Sequence, residues 1–146
     1  MNKKFGVGAL VICAATTLVL AGCSASAKSS RALKQVYISD CGVGESAKPR
    51  AITLACADAG MYVDGIKWST WGGASADGQG IFHMNQCEPS CVDGKFIDVP
   101  VTLSVSAPIN VKKKMMYSQI ALQSTNGQDL VMGEPTYATD LVTEGF

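Results

Sequence analysis

Alternating apolar and polar residues dominate the segment from residue 95 to residue 107 and predict a β-strand there. Apolar residues alternate with hydroxyl-bearing residues along this segment: the apolar residues are Val99, Val101, Leu103 and Val105, and the hydroxyl-bearing residues are Thr102, Ser104 and Ser106. Because successive strand side chains point to opposite faces of a sheet, we expect one buried and one solvent-exposed face. Pro100 has no N–H to donate and indicates an edge, a bulge or the start of this strand.

Shorter segments with β-branched, aromatic or alternating residues are also predicted as strands, at residues 36–38, 51–57, 66–71, 80–84 and 115–123. Within residues 51–57, Cys56 is predicted to point inward. Asn126 and Gly127 favour a tight turn, residues 130–132 a brief pairing, and residues 136–146 a frayed or docked terminus. No segment has convincing amphipathic helical periodicity. The pattern therefore predicts an all-β domain, either an antiparallel β-sandwich or a small barrel-like domain.

The first residues of the chain have the pattern of a secretion signal. Lys3 and Lys4 precede an apolar segment at residues 7–20 that is too short to cross a bilayer comfortably. Leu20-Ala21-Gly22-Cys23 closes this segment and resembles a bacterial lipobox. The resemblance implies that residues 1–22 are removed and that a diacylglyceryl group is attached to the sulfur of Cys23. The alternative is an ordinary signal peptide with an incidental cysteine.

The mature chain is then expected outside the cytoplasm, anchored by its N-terminal lipid to the outer face of the cell membrane. Residues 23–34 are small and polar and are predicted as a lipidated, flexible tether, followed by a single domain over residues 35–146. Removing Lys3 and Lys4 leaves ten basic against twelve acidic residues, a net charge of −2. This balance does not suggest a nucleic-acid partner, because such binding depends on clustered Lys and Arg.

Four cysteines remain in the predicted domain: Cys41, Cys56, Cys87 and Cys91. An even number of cysteines outside the cytoplasm predicts two disulfides, for which three connectivities exist. We favour Cys41 with Cys56 and Cys87 with Cys91, because the second pair would close the turn that contains Pro89. A zinc site formed by Cys87, Cys91 and His83 would lack a fourth ligand, and a Cys–His nucleophile would lack a free thiolate. No metal or other cofactor is therefore expected apart from the lipid on Cys23.

The two tryptophans are the candidate recognition residues. Trp68 and Trp71 are three positions apart and are predicted to lie on opposite faces of one strand, so that one packs in the core and the other is exposed. Lys112, Lys113 and Lys114 are predicted to form a solvated hairpin loop, with anionic headgroups or wall polymers as alternative contacts. Asp58, Asp64, Asp77 and Asp93 lie near glycines and are interpreted as turn residues rather than calcium ligands.

Residues 53–91 contain motifs that resemble a family of small secreted proteins and lipoproteins of actinobacteria without an established activity. The matching segments are Leu54-Ala55-Cys56-Ala57-Asp58, Trp68-Ser69-Thr70-Trp71, Ala76-Asp77-Gly78-Gln79-Gly80, and Asn85-Gln86-Cys87-Glu88-Pro89-Ser90-Cys91-Val92-Asp93-Gly94, with Pro100-Val101 beyond them. Ala59 departs from the family, which has glycine directly after the aspartate. The resemblance implies a β-rich extracytoplasmic domain and no catalytic residue.

These observations predict a lipid-anchored cell-envelope protein that acts as a non-catalytic binding or interaction module. A cell-wall polymer or an envelope protein is the expected partner, in addition to the membrane itself. The alternative function is a hydrolase of cell-wall material or another glycan. Ser69, His83 and Asp58 supply the residue types of a hydrolytic triad, but no nucleophile motif accompanies them. Ser69 near His83, or paired carboxylates facing one cleft, would favour this alternative.

Overall fold

A computed structural model describes residues 35–143, which contain eight β-strands. The signal segment, Cys23, the predicted tether and residues 144–146 lie outside the described residues. The strands, numbered in chain order, are β1 Val36–Asp40, β2 Gly44–Ser46, β3 Ile52–Thr53, β4 Met61–Trp68, β5 Ser75–Asn85, β6 Phe96–Val111, β7 Lys114–Ser124 and β8 Thr136–Asp140. Residues 35–143 contain no helix of a length and apolarity that would cross a bilayer.

The strands form one curled half-barrel sheet in the order β2-β1-β7-β6-β5-β4-β3, with β8 paired to β7. Neighbouring strands are antiparallel except β1 and β7, which run parallel through the pairs Val36–Met115 and Tyr37–Met116. The predicted all-β fold is thus confirmed. The longest strand, β6, pairs with β5 through residues 96–106 and with β7 through residues 101–111.

The core lies on one face of this sheet, and the alternation along β6 explains why. Val99, Val101, Leu103 and Val105 are at most 3% exposed, whereas Thr102 between them is exposed. Fully burying one such side chain contributes about 1.5–3 kcal/mol. The other buried residues of this core are Val36, Ile38, Ile52, Val63, Ile66, Ala76, Phe82, Tyr117, Ile120, Leu122, Leu130 and Leu141. We call the opposite side of the sheet, over β4 to β8, the outer face.

Two disulfides confirm the favoured connectivity. Cys41–Cys56 joins the β1–β2 turn to the segment that follows β3, across a sequence separation of 15. Cys87–Cys91 closes the turn after β5, with a separation of 4. The side chain of Asn85 supports this turn: its Nδ2 donates to the Cys91 carbonyl at 2.8 Å, and its Oδ1 accepts from the Cys87 N–H at 2.9 Å.

Several strand boundaries differ from the prediction. Only Ile52 and Thr53 of residues 51–57 form a strand, because the chain then turns toward Cys56 and the Cys41 disulfide. The three-residue strand β2 was not predicted, since all of its side chains are exposed and show no alternation. In contrast, β8 at residues 136–140 pairs with β7, in agreement with the docked alternative for the terminus, and the bridge of Val131 to Glu134 agrees with the predicted brief pairing.

Pro100 lies inside β6 but at a local edge. It pairs with Ile81 of β5, and the pairing with β7 begins one residue later, at Val101 and Ser124. The Pro100 carbonyl accepts a hydrogen bond from the Thr125 N–H at 2.9 Å, on the side where β7 has already ended. The missing N–H of proline therefore costs no ladder hydrogen bond, in agreement with the predicted edge.

A β-bulge divides β4 and determines which of its side chains reach the outer face. Asp64 pairs with Ile81 and Lys67 with Gln79, so two residues of β4 oppose Gly80 alone. Gly65 occupies the bulge with φ +60°, a left-handed conformation that glycine adopts without strain. In a regular strand, residues 64 and 67 would point to opposite faces. The bulge places both on the outer face.

Candidate functional site

The outer face carries two parallel rows of side chains, one across the five strands β4 to β8 and one across the four strands β5 to β8. Residues paired directly in an antiparallel sheet point to the same face, so the registers define each row. The first row is Lys67, Gln79, Thr102, Gln123 and Thr136, and the second row is Asp77, Ser104, Ala121 and Ala138. Between them, Leu103 and Leu122 turn their side chains into the core. The rows are therefore separated by little more than backbone.

A shallow groove of about 790 Å³ lies along these two rows. Its central lining consists of hydroxyl, amide and methyl side chains from β6, β7 and β8, such as Thr102, Ser104 and Gln123. Charge is confined to one end, where Lys67 and Asp77 come from β4 and β5. The groove volume falls within the range of small-ligand sites, which use a few oriented polar groups for specificity. Uncharged side chains thus dominate the groove, and Trp68 and Tyr137 add aromatic rings to its lining.

A second depression of about 440 Å³ continues from the groove along β5 and β6. It shares Lys67 and Gln79 with the groove and extends past the bulge at Gly65 to Ile81 and Pro100. The outer face is therefore continuous from the groove toward the end of the sheet where β6 begins.

His83, at this end of the outer face, lies between two carboxylates. Its Nδ1 is 2.7 Å from Asp98 Oδ1, and its Nε2 is 3.1 Å from Asp64 Oδ1. The imidazole is only 14% exposed, whereas the two carboxylates are 68% and 50% exposed. A neutral imidazole has one N–H and a protonated one has two, so only the protonated ring donates to both partners. Both ring nitrogens therefore face carboxylate oxygens in this arrangement.

Aromatic side chains complete this end of the face. The Tyr62 ring stacks on His83 with a centroid separation of 4.4 Å and an interplanar angle of 17°. Phe96 contacts Tyr62 at 5.9 Å and is 45% exposed. Aromatic rings held on a rigid sheet offer a large apolar contact area at a low entropic cost. We call Tyr62, Asp64, His83, Phe96 and Asp98 the aromatic–acidic cluster.

The prediction that Trp68 and Trp71 lie on opposite faces of one strand is wrong, because β4 ends at Trp68. The two rings pack against each other edge to face at 4.7 Å, and Trp71 packs on Tyr117 at 5.5 Å. The Trp68 indole donates to the Pro49 carbonyl at 2.8 Å, whereas the Trp71 indole nitrogen is buried without a partner among the described residues. Both rings are half-buried against the core, and neither lies in the aromatic–acidic cluster.

The interpretation of all four aspartates as turn residues is only partly correct. Asp58 accepts the Gly60 N–H at 2.9 Å, and Asp93 accepts the Ser90 hydroxyl at 3.0 Å, as expected in turns. In contrast, Asp64 and Asp77 are strand residues on the outer face. Their neighbouring glycines serve the bulge and the close strand packing rather than turns.

The three residue types of the hypothetical triad are not brought together. Ser69 donates to the Asp77 carbonyl at 2.9 Å, and Asp58 is engaged with Gly60. The partners of His83 are Asp64 and Asp98 instead. Likewise, the Cys87–Cys91 disulfide removes both sulfur ligands of the hypothetical zinc site. Within residues 35–143, no group of three or more His, Cys, Asp and Glu side chains is arranged to hold a metal ion.

The sequence pattern does not reveal the aromatic–acidic cluster or the groove as sites. Phe96 and Asp98 are on the polar side of the alternation in β6, so their shared face was implied by the sequence. Tyr62 and Asp64 join them only through the register of β4 with β5, which the bulge shifts.

Comparison with known proteins gives no match to a protein-family profile, to a curated protein or to a solved structure.

Proposed function

We propose that this protein is a lipid-anchored binding module of the cell envelope whose outer face recognises a polyhydroxylated cell-wall polymer. The lipobox-like segment supports an acyl anchor on Cys23, and the two disulfides agree with an oxidising compartment outside the cytoplasm. The resemblance to actinobacterial secreted proteins and lipoproteins is consistent with the same location. No catalytic step is included in this proposal.

The observation that carries the proposal is the chemistry of the outer face. A sugar polymer presents many hydroxyl groups and, on each ring, an apolar C–H face. The groove offers Gln79, Thr102 and Gln123 as hydrogen-bonding groups, and Tyr62 and Phe96 offer rings for stacking farther along the same face. Together they form an extended surface on rigid strands. An elongated ligand therefore fits it better than a compact one.

Charge on the outer face selects among wall polymers. Asp64 and Asp98 place exposed carboxylates beside the rings of the aromatic–acidic cluster. Their negative charge disfavours a polyanion, whereas carboxylates accept hydrogen bonds from sugar hydroxyls. The preferred ligand is accordingly a neutral or weakly charged glycan strand.

The test is co-sedimentation of the unlipidated mature chain, residues 24–146, with purified insoluble wall glycan. Phe96→Ala should weaken binding by about two- to tenfold, because it removes one stacking contact. Ile109→Ala is a matched control, since Ile109 is 42% exposed on the same strand but lies at its other end. Gln79→Ala/Gln123→Ala should also weaken binding by removing two groove amides.

Equal binding of the wild type and both variants would show that the outer face is not the binding surface. If the wild-type chain sediments only with the protein fraction of the envelope, the protein recognises a protein partner and the glycan proposal is wrong. The anchor is tested separately: Cys23→Ser should abolish fatty-acid labelling of the full-length chain in cells, and retained labelling would contradict acylation at Cys23.

A further inference from the structure

The described part of the chain begins beside the lysine-rich turn between β6 and β7. In the parallel pairing of β1 with β7, Val36 is opposite Met115 and Tyr37 is opposite Met116. Lys112 and Lys113 form the turn just before the first residues of β7. Gln35 therefore connects the preceding segment to the domain at the same end of the sheet as this turn. The predicted hairpin loop is confirmed for Lys112 and Lys113, whereas Lys114 is the first residue of β7.

Both lysines of the turn are free to meet a partner. Lys112 and Lys113 are exposed and make no ion pair among residues 35–143. Lys114 is ion-paired with Glu45, whose carboxylate raises the pKa of the ammonium group, and lies 5.6 Å from the centroid of the Tyr37 ring. Ile109, 42% exposed, adds an apolar side chain near the turn.

The segment that leads to this end of the domain is itself basic. Residues 24–34 contain Lys28, Arg31 and Lys34 and no Asp or Glu. In the sequence, this basic segment directly precedes Gln35, which lies beside the β6–β7 turn. Clusters of four to eight Lys and Arg next to a membrane anchor are typical of contacts with anionic lipids.

The end of the sheet opposite the lysine turn is aromatic and acidic rather than basic. β6 contains 16 residues, which corresponds to a strand path of about 50 Å. Its first residues, Phe96 and Asp98, belong to the aromatic–acidic cluster, whereas its last residue, Val111, adjoins Lys112. The exposed carboxylates of Asp64 and Asp98 thus lie toward the start of β6, at the opposite end of this strand from the lysine turn.

We infer that the β6–β7 turn, through Lys112 and Lys113, docks on anionic phospholipid headgroups and thereby directs the aromatic–acidic cluster away from the membrane. The inference rests on the proposed lipid anchor, which brings the turn to the bilayer surface. Each lysine contributes about fivefold to the preference for the docked orientation at an anionic surface. Salt weakens this contribution, because exposed charges are screened beyond about 10 Å at moderate ionic strength.

The experiment replaces the acyl anchor with a tether of known chemistry. The mature chain, residues 24–146, carries an N-terminal hexahistidine tag and is bound to vesicles that contain a nickel-chelating lipid. The remaining lipid is either phosphatidylcholine alone or an equal mixture of phosphatidylcholine and phosphatidylglycerol. Amide hydrogen exchange is followed in two peptides at opposite ends of the sheet, residues 109–116 and residues 87–96.

The docked orientation predicts slower exchange in residues 109–116 on phosphatidylglycerol vesicles than on phosphatidylcholine vesicles, and no change in residues 87–96. Lys112→Glu/Lys113→Glu should remove this protection. Arg50→Glu/Lys95→Glu changes the net charge equally through exposed residues outside the turn and should retain it. Protection that is absent, independent of phosphatidylglycerol, or unaffected by the turn variant overturns the inference.

Because the nickel tether does not depend on Cys23, this outcome is independent of whether the native chain is acylated. A failure of fatty-acid labelling would contradict the anchor, whereas a failure of turn protection would contradict only the docking orientation.

Discussion

The hydroxyl of Tyr117 donates a hydrogen bond to the carbonyl of Gly73 at 3.1 Å, across a sequence separation of 44. The same hydroxyl accepts the Gly72 N–H at 3.2 Å. Tyr117 is fully buried in β7, and its ring packs against Trp71 in the segment between β4 and β5. One side chain therefore fixes the β4–β5 connection to β7, which is separated from β5 by β6.

Tyr117→Phe should lower the free energy of unfolding by about 1–3 kcal/mol, because it leaves two backbone groups without their partner while retaining the ring. Chemical denaturation measures the change. Tyr137→Phe is the matched control, since the Tyr137 hydroxyl makes no hydrogen bond within residues 35–143 and its removal should change stability by less than about 0.5 kcal/mol. Similar losses in the two variants would show that the Tyr117 hydroxyl has no special structural role.

The contribution of the Tyr117 hydroxyl to stability should decrease at alkaline pH. Burial raises the pKa of Tyr117 above its ordinary value of 10.0, although the Gly72 N–H acts in the opposite direction. The folded state therefore favours the neutral phenol, and this contribution is fully present below pH 10.0 and lost as the pH rises through the folded-state pKa. The stability difference between the wild type and Tyr117→Phe should consequently shrink at alkaline pH. A difference that stays constant or grows across this range would contradict the assignment.

The two disulfides should differ in their contribution to stability. Loop-closure entropy increases with the number of residues enclosed, and the sequence separations are 15 for Cys41–Cys56 and 4 for Cys87–Cys91. Cys41→Ala/Cys56→Ala should cost about 3 kcal/mol and Cys87→Ala/Cys91→Ala about 2 kcal/mol, measured by denaturation in guanidinium. The reverse order would indicate that the short turn is held mainly by its disulfide rather than by the Asn85 side chain.

The fold class could be predicted from the sequence because a strand with one buried face shows a local alternation of apolar and polar residues. Val99, Val101 and Leu103 alternate with polar residues, and each is buried as that alternation indicates. The short strand β2 left no such record, because its three residues are all exposed. Strands are therefore predictable where one face is buried and poorly predictable at a fully exposed edge.

The candidate site could not be predicted, because it depends on pairing between segments distant in sequence. His83 meets Asp64 and Asp98 only in the registers of β4, β5 and β6. The register of β4 changes at Gly65, and a glycine in a strand segment does not by itself distinguish a bulge from a strand end. The sequence likewise predicts that the strand of Trp68 continues to Trp71, whereas β4 ends at Trp68. The two rings therefore pack against each other instead of lying on opposite faces.

The bulge that shapes the outer face should be sensitive to a single methyl group at Gly80. A Cβ there would lie 2.8 Å from the Asp64 carbonyl oxygen and 2.9 Å from Val63 Cγ1. Because the first contact is with backbone, β4 must shift, and Gly80→Ala should cost about 1–3 kcal/mol. Gly65→Ala tests the backbone conformation rather than steric overlap. No atom lies within 4 Å of an added Cβ, but φ is +60°, so the free energy of unfolding should fall by about 1 kcal/mol.

Gly44→Ala is the control for both variants, since its Cβ meets no atom within 4 Å and its φ is not positive; it should change stability by less than about 0.5 kcal/mol. Gly80→Ala should in addition weaken glycan binding in the co-sedimentation experiment, because moving the Asp64 backbone disturbs the hydrogen bond to His83 and the spacing between Asp64 and Lys67. Thermodynamic stability and binding are measured on the same preparations. If Gly80→Ala is as stable as Gly44→Ala and binds glycan like the wild type, the close strand packing at the bulge has no part in shaping the outer face.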